Sequence, residues 1–188
     1  MTAAETTREA LTAAAAGLFW KQGYAGTSIA DIAREAGVPT GNVYYHFKTK
    51  VDFARAVAGM FVAETGEMLA VIEQAQAEPR ARLTALVERL RQTQRARLEG
   101  GCPIARACQD FRSAAPDAAT LAGESFALIT GFIGRELGRT GLRPSLALAR
   151  GRAFVAEWQG GIALAFALGD ATVLAESARR MEITLFAK

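Results

Sequence analysis

Between Thr40 and His46 the chain sets Thr40, Gly41, Asn42, Tyr44, Tyr45 and His46 around one apolar residue, Val43. Thr40 and Asn42 can hydrogen-bond base edges or phosphates, and Thr40 can offer its methyl to thymine. Gly41 lets a helix N-terminus approach closely, and such a terminus attracts phosphate. Tyr44, Tyr45 and His46 carry a hydroxyl or N–H at the end of a rigid ring, suited to phosphate oxygens. Lys48 and Lys50 add charge just beyond, with Lys50 at the start of the next helix. Thr27 and Ser28 can present hydroxyl and N–H groups to a second phosphate. Double-stranded DNA is the ligand this inventory fits. Either tyrosine could instead be a core aromatic, and His46, the single histidine, could be solvated or structural.

Other chemistry is harder to find. Catalysis needs a constellation, such as a nucleophile with its base or a metal cluster. One His and two Cys offer none, so no enzyme, cofactor or metal is expected. The field is also weak. Residues 1–50 hold five Lys/Arg against four acids, so phosphate binding would come from placement and helix N-termini. The larger basic excess, eight Arg against three acids over 79–112, reads as a solvated amphipathic helix face.

Positioning these residues falls to helices. Proline is sparse, and no run alternates with period two, so no sheet is expected. A first helix spans about Thr6 to Gln22, with Leu11, Ala15, Leu18 and Phe19 on one face and Gly23 as its stop. Ser28 caps a second helix, with Asp31 three residues on in an approximate capping box. Ile29, Ile32 and Ala33 form its inward face. Ala36-Gly37-Val38-Pro39 is the turn of a helix-turn-helix, Gly37 supplying the positive φ. Val43 and Phe47 anchor the third helix, Thr40 to His46. A fourth runs from Lys50 towards Ala77. Beyond Pro79 the pattern predicts helices at 80–98, 103–113, 117–138, 144–168 and 171–186.

Composition agrees with a folded helical chain. Of 188 residues, 51% are hydrophobic and 22% charged, which excludes wholesale disorder. Two Cys exclude a disulfide scaffold and fit a reducing cytoplasm. No apolar run reaches the roughly 18 residues of a membrane span. The start, Met1-Thr2-Ala3-Ala4-Glu5, lacks a secretory pattern, so a cytoplasmic location and no membrane partner are expected.

The run Gly23-Tyr24-Ala25-Gly26-Thr27-Ser28-Ile29-Ala30-Asp31-Ile32-Ala33-Arg34-Glu35-Ala36-Gly37-Val38, followed by Gly41-Asn42-Val43-Tyr44-Tyr45-His46-Phe47-Lys48-Thr49-Lys50, closely resembles the TetR family of bacterial transcriptional regulators. The resemblance covers about the first 60 residues. It implies that Thr40, Gly41, Tyr44 and Tyr45 face the major groove and that Thr27, His46 and Lys50 hold phosphates. It also implies an all-α homodimer: residues 1–50 a three-helix helix-turn-helix domain, residues 51–188 a helical effector-binding and dimerisation domain. The function it implies is a regulator, most often a repressor released from its operator by a small-molecule effector that stays unidentified. Pro39-Thr40 stands where many members carry Ser-Lys or Ser-Arg, which bears on base preference.

By the same resemblance an effector pocket lies between the connecting helix and those after it. Phe61, Met68, Phe111 and Trp158 are the candidates for its lining, although such residues also serve as core. Phe126, Ile129, Phe132, Ile133 and Leu137, with the small residues Gly160, Gly161, Ala163, Ala165 and Ala167, suggest a four-helix dimer face, the alternative being intrachain packing. A two-fold dimer matches a near-palindromic operator. Gly101-Cys102-Pro103-Ile104 resembles a branch of the family that responds to stress and xenobiotics. Cys102 before a Pro-opened helix and near Arg106 in sequence is a candidate redox or electrophile sensor, or simply a small buried hydrophobe. A ligand-binding or interaction module without DNA activity is a third reading that the near-neutral head leaves open.

Overall fold

The computed structural model describes residues 3–186, and every regular element among them is an α-helix. The helices are α1 (Ala3–Gln22), α2 (Ile29–Glu35), α3 (Thr40–His46), α4 (Lys50–Ala75), α5 (Pro79–Arg91), α6 (Gln94–Gly100), α7 (Pro103–Asp110), α8 (Pro116–Arg139), α9 (Pro144–Leu168) and α10 (Ala171–Phe186). The all-α expectation holds, with a three-helix head followed by helical segments. One expected helix, 80–98, is two. The break falls at Gln92-Thr93, where the Thr93 N–H and hydroxyl both donate to the Leu90 carbonyl, at 3.0 and 2.7 Å. That local bond competes with the helical ladder, as Thr side chains do. No helix among the described residues is long and apolar enough to cross a membrane.

The chain packs as two units. The first comprises residues 1–63 and 103–124, the second 64–102 and 125–188.

In the first unit the head is built on aromatic rings. Phe19, Tyr24 and Phe111 meet edge to face, with centroids 5.2, 5.6 and 5.3 Å apart. Phe47 stacks on Phe53 at 4.0 Å. Such pairs each contribute about 0.5–1.5 kcal/mol beyond the area they bury. Leu11, Ala15, Ile32, Val43 and Val57 complete the interior.

In the second unit Leu83, Leu86, Val87, Phe132, Ile133, Phe154, Trp158, Ile162 and Met181 are buried. Helices α9 and α10 approach so closely that a Cβ on Gly161 would lie 2.3 Å from Ser177 Oγ. These facts correct the expected dimer face. Ile129, Phe132, Ile133, Leu137, Gly161 and Ala165 are spent inside one chain. The outward stripe of α9 is Ala153, Ala156, Gly160, Ala163, Leu164 and Ala167. Periodicity assigned apolar residues to a face, but it could not say which face meets this chain's own helices.

Candidate nucleic-acid interface

The site is assembled from caps. Ser28 Oγ accepts the Asp31 N–H at 3.1 Å and Asp31 Oδ2 accepts the Ser28 N–H at 2.9 Å, so the expected capping box is present. The Ser28 hydroxyl bond, then the Ser28 N–H and the Arg34 guanidinium, pull the Asp31 carboxyl down to about 2. Helix α2 ends at Ala36. Gly37 has φ +65°, and the Val38 N–H returns to the Ala33 carbonyl at 2.9 Å. This turn requires the left-handed conformation, which glycine enters without a Cβ penalty. Helix α3 starts on the Pro39 carbonyl, which accepts from Asn42 and Val43 at 2.8 and 3.3 Å. Its one inward residue, Val43, is fully buried, and Phe47 closes it.

With Val43 inward, most of the other residues of α3 face out. Thr40, Gly41 and Asn42 are exposed, Tyr44 is 47% exposed and Tyr45 78%. Neither tyrosine is a core aromatic. His46 is half-buried, its ring edge-on to Tyr45 at 5.1 Å. A seven-residue helix thus offers a hydroxyl, a carboxamide and two phenols to a groove.

The flanking groups are used differently from the sequence-based expectation. Thr27 is buried: its hydroxyl donates to the Gly23 carbonyl at 2.8 Å and its N–H to the Tyr24 carbonyl at 3.3 Å. Both donors proposed for phosphate are occupied within the head. The Ser28 N–H and hydroxyl go to Asp31. Lys50 Nζ donates to the carbonyls of Tyr24 and Thr27 at 2.9 and 3.1 Å and lies 4.4 Å from the Tyr24 ring centroid. Its ammonium pins the 24–27 turn to the start of α4. Lys48 Nζ likewise donates to the Tyr44 carbonyl at 2.5 Å. The reason is competition: a carbonyl-lined turn next to a lysine offers fixed acceptors at no cost in translational freedom, whereas phosphate must be recruited.

Three contacts escaped the sequence reading. Arg8 Nη1 donates to the His46 carbonyl at 2.8 Å, with its guanidinium 4.3 Å from the Phe47 ring centroid, so α1 holds the end of α3. Thr49 and Asp52 cap α4 reciprocally, Thr49 N–H to Asp52 Oδ2 at 2.8 Å and Asp52 N–H to Thr49 Oγ1 at 3.2 Å. The spacing Thr-x-x-Asp was a signal for that cap. The bond from the Tyr24 N–H to Asp110 Oδ2 at 3.0 Å spans 86 residues and had no local signal. It fixes the chain after α1, where Gly23 turns at φ +82° and an added Cβ would lie 2.9 Å from the Arg106 guanidinium.

The residues proposed for an effector pocket divide between the units. Phe61 and Phe111 belong to the first, and the space they line with Phe19 is about 10 Å³, room for one water. Met68, half-buried, and Trp158, buried, belong to the second. Cys102 is buried and Cys108 half-buried, and the two are not joined in a disulfide. Burial pushes the Arg97 guanidinium below its usual value, while its charge interaction with Cys102, in the same unit, acts in the other direction.

Residues 11–57 match the family model described as bacterial regulatory proteins, tetR family. The HTH-type transcriptional regulator TtgR of Pseudomonas putida is 43% identical over 54 residues, 29% of this chain and 26% of that protein. The matched stretch spans about a quarter of the length of such curated relatives. Across nearly the whole chain, a TetR transcriptional regulator from Legionella pneumophila superposes with a TM-score of 0.83 at 23% identity, covering 94% of this chain and 95% of that one. A TetR transcriptional regulator from Chloroflexus aurantiacus has a TM-score of 0.78 at 27% identity, covering 98% and 97%. Residues 11–57 thus match the tetR-family model, and the all-helical fold of the chain is similar to that of TetR regulators.

Proposed function

We propose that this chain is a DNA-binding transcriptional regulator, a homodimeric repressor released from its operator by a small-molecule effector. The observation that carries the reading is the outward face of α3. Thr40, Gly41, Asn42, Tyr44 and Tyr45 stand in solvent on a helix held from behind by Val43, Phe47 and Arg8. A rigid helix with its polar side unpartnered is what major-groove readout requires. In this reading residues 1–50 bind DNA and residues 51–188 bind the effector and dimerise. Phosphates are met by Thr27, Ser28, His46 and Lys50 only where their present internal bonds can be shared or exchanged. The small-residue stripe of α9 with Ala127 and Leu128 of α8 forms the two-fold interface, and the two heads meet half-sites of a near-palindrome. Effector release rests on a difference in affinity between the DNA-competent and DNA-incompetent states. Met68 and Trp158, both in the second unit, are the pocket side chains that such a shift would engage.

The test is a gel shift on the DNA upstream of this gene. A retarded band lost on Tyr44→Ala supports the reading. Absence of any shift at low salt rejects it in favour of a module that binds only ligands. Sensing by Cys102 is a separate part of the proposal, motivated by its neighbour Arg97. Oxidant-induced loss of the shift that persists in Cys102→Ser would refute it.

A further inference from the structure

In the second unit, the start of α5, the α8–α9 turn and the end of α10 enclose a cleft of about 340 Å³. That volume lies in the range of small-molecule sites, roughly 300–1,000 Å³. Leu83, Leu137, Leu185 and Phe186 supply apolar wall, and Arg80 and Arg150 supply charge; among the described residues no carboxylate lines it. Leu83, Leu137 and Leu185 are themselves buried, so this wall is part of the packed interior. The Arg80 guanidinium lies 4.6 Å from the Phe186 ring centroid, and among the described residues no carboxylate pairs with it. Thr140, also in the lining, spends its hydroxyl proton on the Leu137 carbonyl at 2.7 Å. The buried carboxylate next in sequence, Glu136, is already matched by Arg82 at 3.2 Å and Arg139 at 2.5 Å. The side-chain donors that line the cleft are therefore guanidinium groups above a hydrocarbon surface.

We infer that this cleft binds a small amphipathic organic anion, its carboxylate on Arg80 and Arg150 and its alkyl or aryl body against Leu83, Leu137, Leu185 and Phe186. A guanidinium fork matches a carboxylate in geometry and charge, and neither a cation nor an apolar molecule lacking an acceptor exploits both halves of the site. The inference concerns binding by the free protein and is independent of DNA recognition.

The experiment is calorimetric titration of the full chain with octanoate and with octanamide, the same chain without charge. Saturable octanoate binding is expected, with octanamide at least about tenfold weaker. Arg80→Gln weakens octanoate about tenfold or more and leaves octanamide unchanged. Arg95→Gln, on the surface of α6 beside Glu99, serves as the control and changes neither. Leu142→Trp, which fills the cleft, removes both. Equal affinity for the two probes, no saturable octanoate binding, or an equal loss in Arg95→Gln would overturn the inference. The comparison of the two probes needs no variant, so it decides the matter even where a substitution perturbs folding.

Discussion

Helix α3 has one residue turned in and most of the others turned out, and a pair of substitutions separates the two roles. Val43→Ala deletes two methyl groups' worth of a side chain with 0% exposure. Transfer loss at about 0.8 kcal/mol per methylene, with a cavity contribution, amounts to about 2–3 kcal/mol. For a chain of this length that is a fall in Tm of roughly 5–10 °C. Tyr45→Ala removes a ring that is 78% exposed. Its effect on stability should stay within about 0.5 kcal/mol, under roughly 2 °C. On DNA the order reverses: loss of a groove contact worth about 1–3 kcal/mol weakens the upstream fragment by roughly 5–150-fold. Thermal melts followed by circular dichroism, and anisotropy titrations at one fixed salt concentration, measure the two quantities. A Tyr45→Ala protein that melts as low as Val43→Ala would show that the outward ring is structural. One that melts normally and keeps full affinity for DNA that the unaltered chain binds would refute the assignment of α3 as the reading helix.

Three further outcomes follow from the packing. Arg82→Met leaves the buried Glu136 with Arg139 as its remaining guanidinium partner and frees the Gln76 and Glu73 carbonyls that Arg82 now meets at 2.8 and 3.2 Å, so urea unfolding should show a loss of about 2–3 kcal/mol, of which adding Glu136→Leu restores only part. Gly151→Ala places a Cβ 2.7 Å from the Thr130 carbonyl oxygen, a backbone atom; overpacking outweighs the gain in helix propensity, for a net loss of about 1–2 kcal/mol by the same assay. The Asp31 carboxyl, at about 2 in the folded chain against an ordinary 3.8, binds protons more readily when unfolded, so its stabilisation is complete above the ordinary value and disappears as pH falls through about 2. The stability gap between the unaltered chain and Asp31→Asn should therefore be flat above roughly pH 5 and close in acid; a gap unchanged into strong acid would contradict the capping role.

Much of the head was legible from short-range signals. Ser28 with Asp31, Gly37 before Val38, and the Val43–Phe47 spacing act within a few residues, and the caps and turn sit where those signals place them. The same holds for α9 and α10, opened by Pro144 after Gly141 and by Ala171 after Gly169-Asp170. The Gln92-Thr93 break has no Gly or Pro, and a single Thr choosing a local bond over the ladder leaves no pattern to read.

Local chemistry determined the helices, the turn between α2 and α3 and the polar character of α3, because each depends on backbone sterics and on bonds between near neighbours. Tertiary structure decided where the long side chains end. Lys50 finds carbonyls 23 and 26 residues away, Tyr24 is tied to Asp110 86 residues on, and Phe111 leaves a supposed pocket to join Phe19 and Tyr24. A flexible cation or a large ring has many acceptable partners, and only the folded chain, by bringing distant segments within a few ångströms, selects among them.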